Sequence, residues 1–287
     1  MSDSTAIQTV EFEVNNQIIS GISNGNKQGT TLLCLHGWLD NAASFQPLLP
    51  YLANYHVIAI DWPGHGLSSH RSADAHYHFL DWVYDLISLF RSQQWQNIDI
   101  VAHSMGGMVA SAFAAAFPTD VKSLTLIDSI GFLTAEAKNT TEQLRKGMIS
   151  RLTRHVKPKN NHASIDSAIA ARMLVSDLTA DNAALIVKRG IEQTEAGFIW
   201  RSDNRLRAIS PYRFTESQAK QIVTDINTPV QLLYGSKGME MVAKGLKCFG
   251  PLFKMLQVNK LHGGHHVHME QAEQAAKLIN KFISQQN

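Results

Sequence analysis

The chain has 287 residues, 44% of them hydrophobic, and a formal net charge of +2. That length and composition suit one large globular domain, or one domain carrying an insertion. A nearly balanced charge argues against nucleic acid as a partner, no apolar run is long enough to span a bilayer, and the polar start, residues 1–9, lacks a signal-peptide core. The two cysteines, Cys34 and Cys248, form neither a disulfide framework nor a metal pattern. A cytoplasmic protein is therefore expected. Cys34 lies within an apolar run and reads as a buried free thiol.

In chain order, Val10 to Val14 and Gln17 to Ile22 alternate around Asn15-Asn16 and predict an opening hairpin. Continuous apolar runs follow at Thr31–Leu35, Val57–Ile60, Ile98–Val101, Leu124–Ile127, Val230–Leu233 and Phe253–Val258. Such runs are the pattern of strands buried on both faces. Between them, Phe79, Val83, Leu86, Ile87 and Phe90 share one face of a helix over about 79–95. Ala272, Ala275, Ala276, Ile279, Phe282 and Ile283 do the same near the end. Alternating strands and helices predict an α/β fold with a mostly parallel sheet and helices on both faces.

The alternation stops after Asp128. From about Gly131 to Gln221 there are helical stretches, at Leu144–Leu152, Ser164–Leu174 and Asp181–Ile191, and no strong strand. A span of that length is too long for an ordinary loop. It predicts a helical lid, residues 131–221, inserted into a core of residues 1–130 and 222–287. Arg145, Lys146, Arg151, Arg154, Lys157 and Lys159 follow one another with no acidic residue among them. In a chain of balanced charge the run is expected to be a solvated face rather than a site for an anionic substrate or a membrane surface.

The chemistry concentrates where strands end. Val101-Ala-His-Ser104-Met-Gly-Gly107 lies between a strand-like run and a helical run that continues to Phe117. Small residues flanking a serine in that setting form a nucleophile elbow; otherwise the serine is a simple helix cap. His36-Gly37-Trp38 follows one strand, Asp128 another, and Gly263-Gly264-His265-His266-Val267-His268 the last. Ligands of open α/β sheets bind at those ends. A serine nucleophile needs a base, and the base needs an orienting carboxylate.

The chain resembles the α/β-hydrolase fold over nearly its whole length. The resemblance rests on His36-Gly-Trp, Asp61-Trp-Pro-Gly-His-Gly-Leu-Ser68, the elbow at Ser104, and Gly264-His265. More narrowly it is similar to the serine-hydrolase-like proteins, through residues 36–45, His76-Tyr-His-Phe-Leu-Asp-Trp82, Arg201-Ser-Asp-Asn-Arg-Leu-Arg207, and the Gly264-His-His-Val-His-Met269 ending. The resemblance implies an eight-stranded, mostly parallel sheet, Ser104 as nucleophile and His265 as base. His266 and His268 are its rivals, and His268 is expected to pack or hydrogen-bond at a helix start. The acid departs from the common pattern. Gly235-Ser-Lys-Gly238 stands where Gly-x-x-Asp is usual. Asp128 is favoured over the alternative Glu240, because a strand end holds a side chain more rigidly than a Gly-flanked loop. Asp61, in a Pro-Gly-His-Gly turn, is expected to be structural.

The oxyanion donors implied are the backbone N–H groups of Met105 and Trp38, with the Trp38 indole lining the acyl pocket. A histidine-rich run can bind metal, but no cysteine or carboxylate cluster accompanies it in sequence. No metal and no cofactor are expected. The expected activity is a carboxylesterase acting on small or medium acyl esters, its partner a small-molecule ester. The alternatives are a catalytically weak ligand-binding protein on the same fold, a perhydrolase, or a carbon–carbon bond hydrolase. Oligomeric state is left open.

Overall fold

The computed structural model describes residues 7–155, 159 and 161–286; residues 1–6 of the polar start and Lys157 of the basic run lie outside the described residues. The opening hairpin forms. β1 (Gln8–Val14) and β2 (Gln17–Ser23) pair antiparallel about Asn15 and Asn16, both at positive φ. Asparagine tolerates that left-handed conformation better than most residues.

The chain then alternates: β3 (Thr31–Leu35), β4 (His56–Ile60), α1 (Phe79–Ser92), β5 (Ile98–His103), α2 (Met105–Ala116), β6 (Val121–Ile127). Next come α3 (Thr140–His155), β7 (Asn161–His162), α4 (Ile165–Met173), α5 (Ala180–Gly190), β8 (Ile191–Thr194) and β9 (Gly197–Trp200). The chain closes with α6 (Glu216–Thr224), β10 (Val230–Gly235), α7 (Glu240–Phe249), β11 (Leu256–Leu261), α8 (Val267–Glu270) and α9 (Ala272–Ser284). Among the described residues, eight strands form one sheet in the order β1-β2-β4-β3-β5-β6-β10-β11. β4, β3, β5, β6, β10 and β11 run parallel, and β1 and β2 join antiparallel.

Successive side chains of a strand point to opposite faces, and the core divides accordingly. Leu33 and Leu35 pack with α1, α2, α6 and α7 through Leu86, Phe90, Val109, Phe113, Val223 and Phe249. Leu32 and Cys34 pack on the other face with Phe45, Leu48, Ala276 and Ile279. Cys34 is fully buried, and burial pushes its thiol pKa far up, so it stays an inert thiol.

Three expectations need correction. The segment between β6 and α6 is not helical throughout: β7, β9 and β8 form a small antiparallel sheet. Phe198, Ile199 and Trp200 are strand-forming residues, but a run of four shows no measurable period. The last strand begins at Leu256 rather than Phe253, which is buried in the turn before it. As an edge strand it is exposed at alternate residues rather than apolar throughout. The boundary drawn at 221/222 falls inside α6, whose Ala219 and Val223 are buried in the main core.

Candidate active site

Ser104 follows β5 directly, with φ 52° and ψ −118°. Such a backbone is strained for a residue with a side chain and occurs mainly at functional turns. It is held by the bond from Ser104 N–H to the Ile127 carbonyl (3.0 Å) and by the close packing of the first turn of α2. A Cβ at Gly106 would lie 2.4 Å from the Leu35 carbonyl oxygen, so only glycine lets α2 start against β3.

The loop after β11 brings His265 to this serine. Its Nε2 lies 3.0 Å from Ser104 Oγ, and its Nδ1 lies 2.6 Å from Asp128 Oδ2. Asp128 ends β6 at φ 43° and its side chain is fully buried. Its carboxylate also accepts from the N–H groups of Gly235 (3.1 Å) and Met239 (3.2 Å). A buried carboxylate with three donors is both charge-stabilised and fixed in direction. Glu240 is elsewhere: it starts α7, is largely exposed, and pairs with Lys244 at 2.8 Å. The glycine at the usual acid position is explained as well, since a Cβ at Gly238 would sit 2.3 Å from Asp128 Oδ1.

Met105 follows Ser104 directly, and the Gly37–Trp38 peptide lies close to it. Met105 is the first residue of α2, where a helix leaves its N–H groups unpaired. The Gly37 carbonyl accepts from Asp40 N–H (3.2 Å) and from His36 Nδ1 (2.7 Å). In a trans peptide the following N–H points the opposite way, so the Trp38 N–H is turned from those partners. His36 is locked in turn: its Nε2 accepts from Trp62 N–H at 3.0 Å, and burial lowers its pKa to about 4. A Cβ at Gly37 would be 3.0 Å from Ser104 Cβ, which places this peptide beside the serine. The Trp38 ring is about half exposed and donates its indole N–H to the Leu206 carbonyl (3.0 Å).

The sequence matches the alpha/beta hydrolase fold profile over residues 30–272. The chain belongs to the α/β-hydrolase fold family. Within it, a serine hydrolase-like protein of Danio rerio is 30% identical over 278 residues, covering 92% of this chain and 84% of that protein. The crystal structure of a hypothetical protein from Pseudomonas aeruginosa PAO1 superposes with a TM-score of 0.91 at 32% identity, covering 96% and 99% of the two chains. The thioesterase domain from the curacin biosynthetic pathway shares the fold, with a TM-score of 0.85 at 24% identity over 96% and 99%. The narrower likeness is to the serine-hydrolase-like group, and it supports hydrolase activity in general. No helix among the described residues is long and apolar enough to cross a membrane.

Behind the serine, this α/β-hydrolase carries a charged cluster that sequence reading missed. Asp177, in the loop between α4 and α5, accepts the backbone N–H of His265 and lies 2.7 Å from His266 Nδ1. His266 Nε2 lies 3.2 Å from Asp40 Oδ2, and Arg172 of α4 binds the other oxygen of Asp40. Burial alone would lower the His266 pKa, but Asp40 and Asp177 outweigh it and hold it at about 9. His266 is therefore a cation clamped between two carboxylates. No local pattern reveals it, because its partners are 89 and 226 residues away.

His103 donates its Nε2–H to the His265 carbonyl (3.0 Å), and burial lowers its pKa to about 4. Asp40, His103 and His266 offer ligand atoms within 4.8 Å of one another. Arg172 and protonated His266 already supply the positive charge that a metal would bring to Asp40. His268 is fully buried with both ring nitrogens unpartnered, packs against Phe45 and His103, and is kept neutral by burial. Among the described residues it packs rather than hydrogen-bonds.

Asp61 accepts from Ala42 N–H (2.7 Å) and Leu67 N–H (2.8 Å) and pairs with Arg189 of α5 at 2.9 Å. It ties the inserted segment to the core. The narrow family words meet in space for a similar reason: Arg205 binds Asp203 and the carbonyls of Arg71, Ser72 and Ala75, and Tyr77 donates to Asp203 at 3.0 Å.

Proposed function

We propose that this chain is a carboxylesterase working through Ser104, His265 and Asp128. The observation that carries the reading is the relay of 3.0 Å from Ser104 Oγ to His265 Nε2 and 2.6 Å from His265 Nδ1 to Asp128. Ser104 Oγ attacks the ester carbonyl while His265 Nε2 takes its proton. The oxyanion that forms accepts from the N–H groups of Met105 and Trp38, and each such donor is worth roughly a hundred- to a thousandfold in turnover. The imidazolium gives its proton to the leaving alcohol. Water, deprotonated by the same histidine, then releases the acid from the acyl-enzyme. Asp128 keeps Nδ1 protonated and balances the charge on the ring.

The inserted segment between β6 and α6 acts in this reading as a lid that shapes the acyl pocket and excludes water. The substrates are small or medium acyl esters. The test is labelling by a fluorophosphonate probe and a panel of p-nitrophenyl esters of graded acyl length. Labelling and turnover are expected in the wild type and absent in Ser104→Ala. Full turnover in that variant would make the assignment wrong, and no labelling of the folded wild type would favour a ligand-binding protein on the same fold.

A further inference from the structure

Arg207 is an arginine without an acid. Among the described residues it has no carboxylate partner; its guanidinium instead lies over the Trp38 ring, 5.9 Å from the centroid. That indole is fixed by its bond to the Leu206 carbonyl. Loss of hydration and the like charges of Arg154 and Arg172 all work against the charge on Arg207. Arg172 is neutralised by Asp40, and Arg154 has no acidic partner among the described residues. Among the described residues, two cations without carboxylate partners thus act on each other here, Arg207 on the ring of the tryptophan whose peptide adjoins Ser104 and Arg154 within reach of its charge.

Two other largely buried arginines are balanced by carboxylates, Arg189 by Asp61 and Arg205 by Asp203. The imbalance at Trp38 stands out against them. Arg154 also lines an open groove of about 480 Å³ with Lys146, Ile149, Ser150, Thr153 and Ile209. Its lining is mostly apolar and includes the Arg154 charge, which suits a short alkyl chain ending in a charged group. A guanidinium held flat on an aromatic face keeps its N–H fork free for a planar or tetrahedral oxyanion.

We infer that the substrate ester carries an oxyanion, a carboxylate or a phosphate, which Arg207, seated on Trp38, binds together with Arg154 at the mouth of the Ser104 site. The inference rests on the esterase reading for its reaction and on Arg207 for its selectivity. Sequence alone pointed away from an anion site, because it grouped Arg154 with exposed neighbours and left Arg207 apart.

The experiment compares mono-p-nitrophenyl adipate with p-nitrophenyl hexanoate, which match in length and differ in the terminal carboxylate. In the wild type, kcat/KM is expected to favour the adipate at least tenfold at low salt, and the preference should shrink as salt rises. Arg207→Gln should reduce the ratio about tenfold, whereas Lys281→Gln, which removes the same charge from the final helix, should leave it in place. A ratio near one in the wild type, or a ratio that survives Arg207→Gln, overturns the inference.

Calorimetry with Ser104→Ala gives a reading without turnover. Adipate and hexyl phosphate separate the two anion sources, and at least one should bind and weaken about tenfold when Arg207→Gln is added. Equal binding with and without Arg207, or no binding of either, overturns it. Ser104-dependent hydrolysis of the neutral ester with no anion preference defeats this inference alone. Unchanged hydrolysis by Ser104→Ala defeats the esterase reading instead.

Discussion

A methyl group at Gly238 would sit 2.3 Å from Oδ1 of Asp128, so the carboxylate at one strand end and the glycine at the next depend on each other. The two positions lie after adjacent strands, β6 and β10. Both can point at the same imidazole, and only one can hold a carboxylate. Asp128→Asn is expected to lower kcat by about ten-thousandfold, as when a triad acid loses its charge. Gly238→Asp alone should also impair turnover, by displacing Asp128. In an Asp128→Gly background, Gly238→Asp should recover part of the activity. Steady-state kinetics on the four proteins decides it, and Asp128→Asn with more than a tenth of wild-type kcat would sink the assignment.

The link between Asp177 and the two histidines sets a second expectation. Removing it leaves the side chains of Ser104, His265 and Asp128 in place but frees the backbone of His265. A displacement of about 1 Å at a catalytic group can slow turnover about a hundredfold. Asp177→Ala should therefore lower kcat by ten- to a hundredfold while KM moves little. A kcat within twofold of wild type would show that His265 is seated without it.

His266 makes stability depend on pH. Its folded pKa of about 9 lies above the ordinary histidine value of 6.5. A raised pKa stabilises the fold fully below about 6.5, and that contribution fades as pH rises through about 9. The size is at most about 3–4 kcal/mol, at roughly 1.4 kcal/mol per unit. Urea unfolding from pH 6 to pH 10 should show the decline in the wild type and a flatter profile in His266→Gln. Parallel profiles would remove His266 as the cause.

Asp61 and Arg189 form a buried pair that joins α5 to the turn after β4. Leaving one buried charge without its partner costs about 3–5 kcal/mol. Asp61→Ala should destabilise by that much in denaturant titrations, and the double variant with Arg189→Met should lose less than the sum of the two. Additive losses would mean that the pair is not coupled.

Much of this was legible in the residues. Strands buried on both faces announce themselves as apolar runs, and Ser104, Asp128 and His265 could be put at strand ends because runs such as 98–101 and 124–127 stop there abruptly. The elbow is legible because Gly106 has no room for a side chain. β7, β8 and β9 were not, because two to four residues carry no period. Nor was the clamp on His266, which is made by side chains distant in the chain and by burial that no single segment encodes. Arg207 was hidden for the opposite reason: among the described residues no carboxylate partner marks it.

Asp177 belongs to the inserted segment, yet it holds the loop that carries His265. Any outward swing of the α4–α5 loop to admit a bulky ester withdraws that aspartate from both histidines at once. Entry and readiness are then mutually exclusive. In the proposed esterase an open site would therefore be a disarmed one, and turnover would wait for the cover to come down on a molecule already inside.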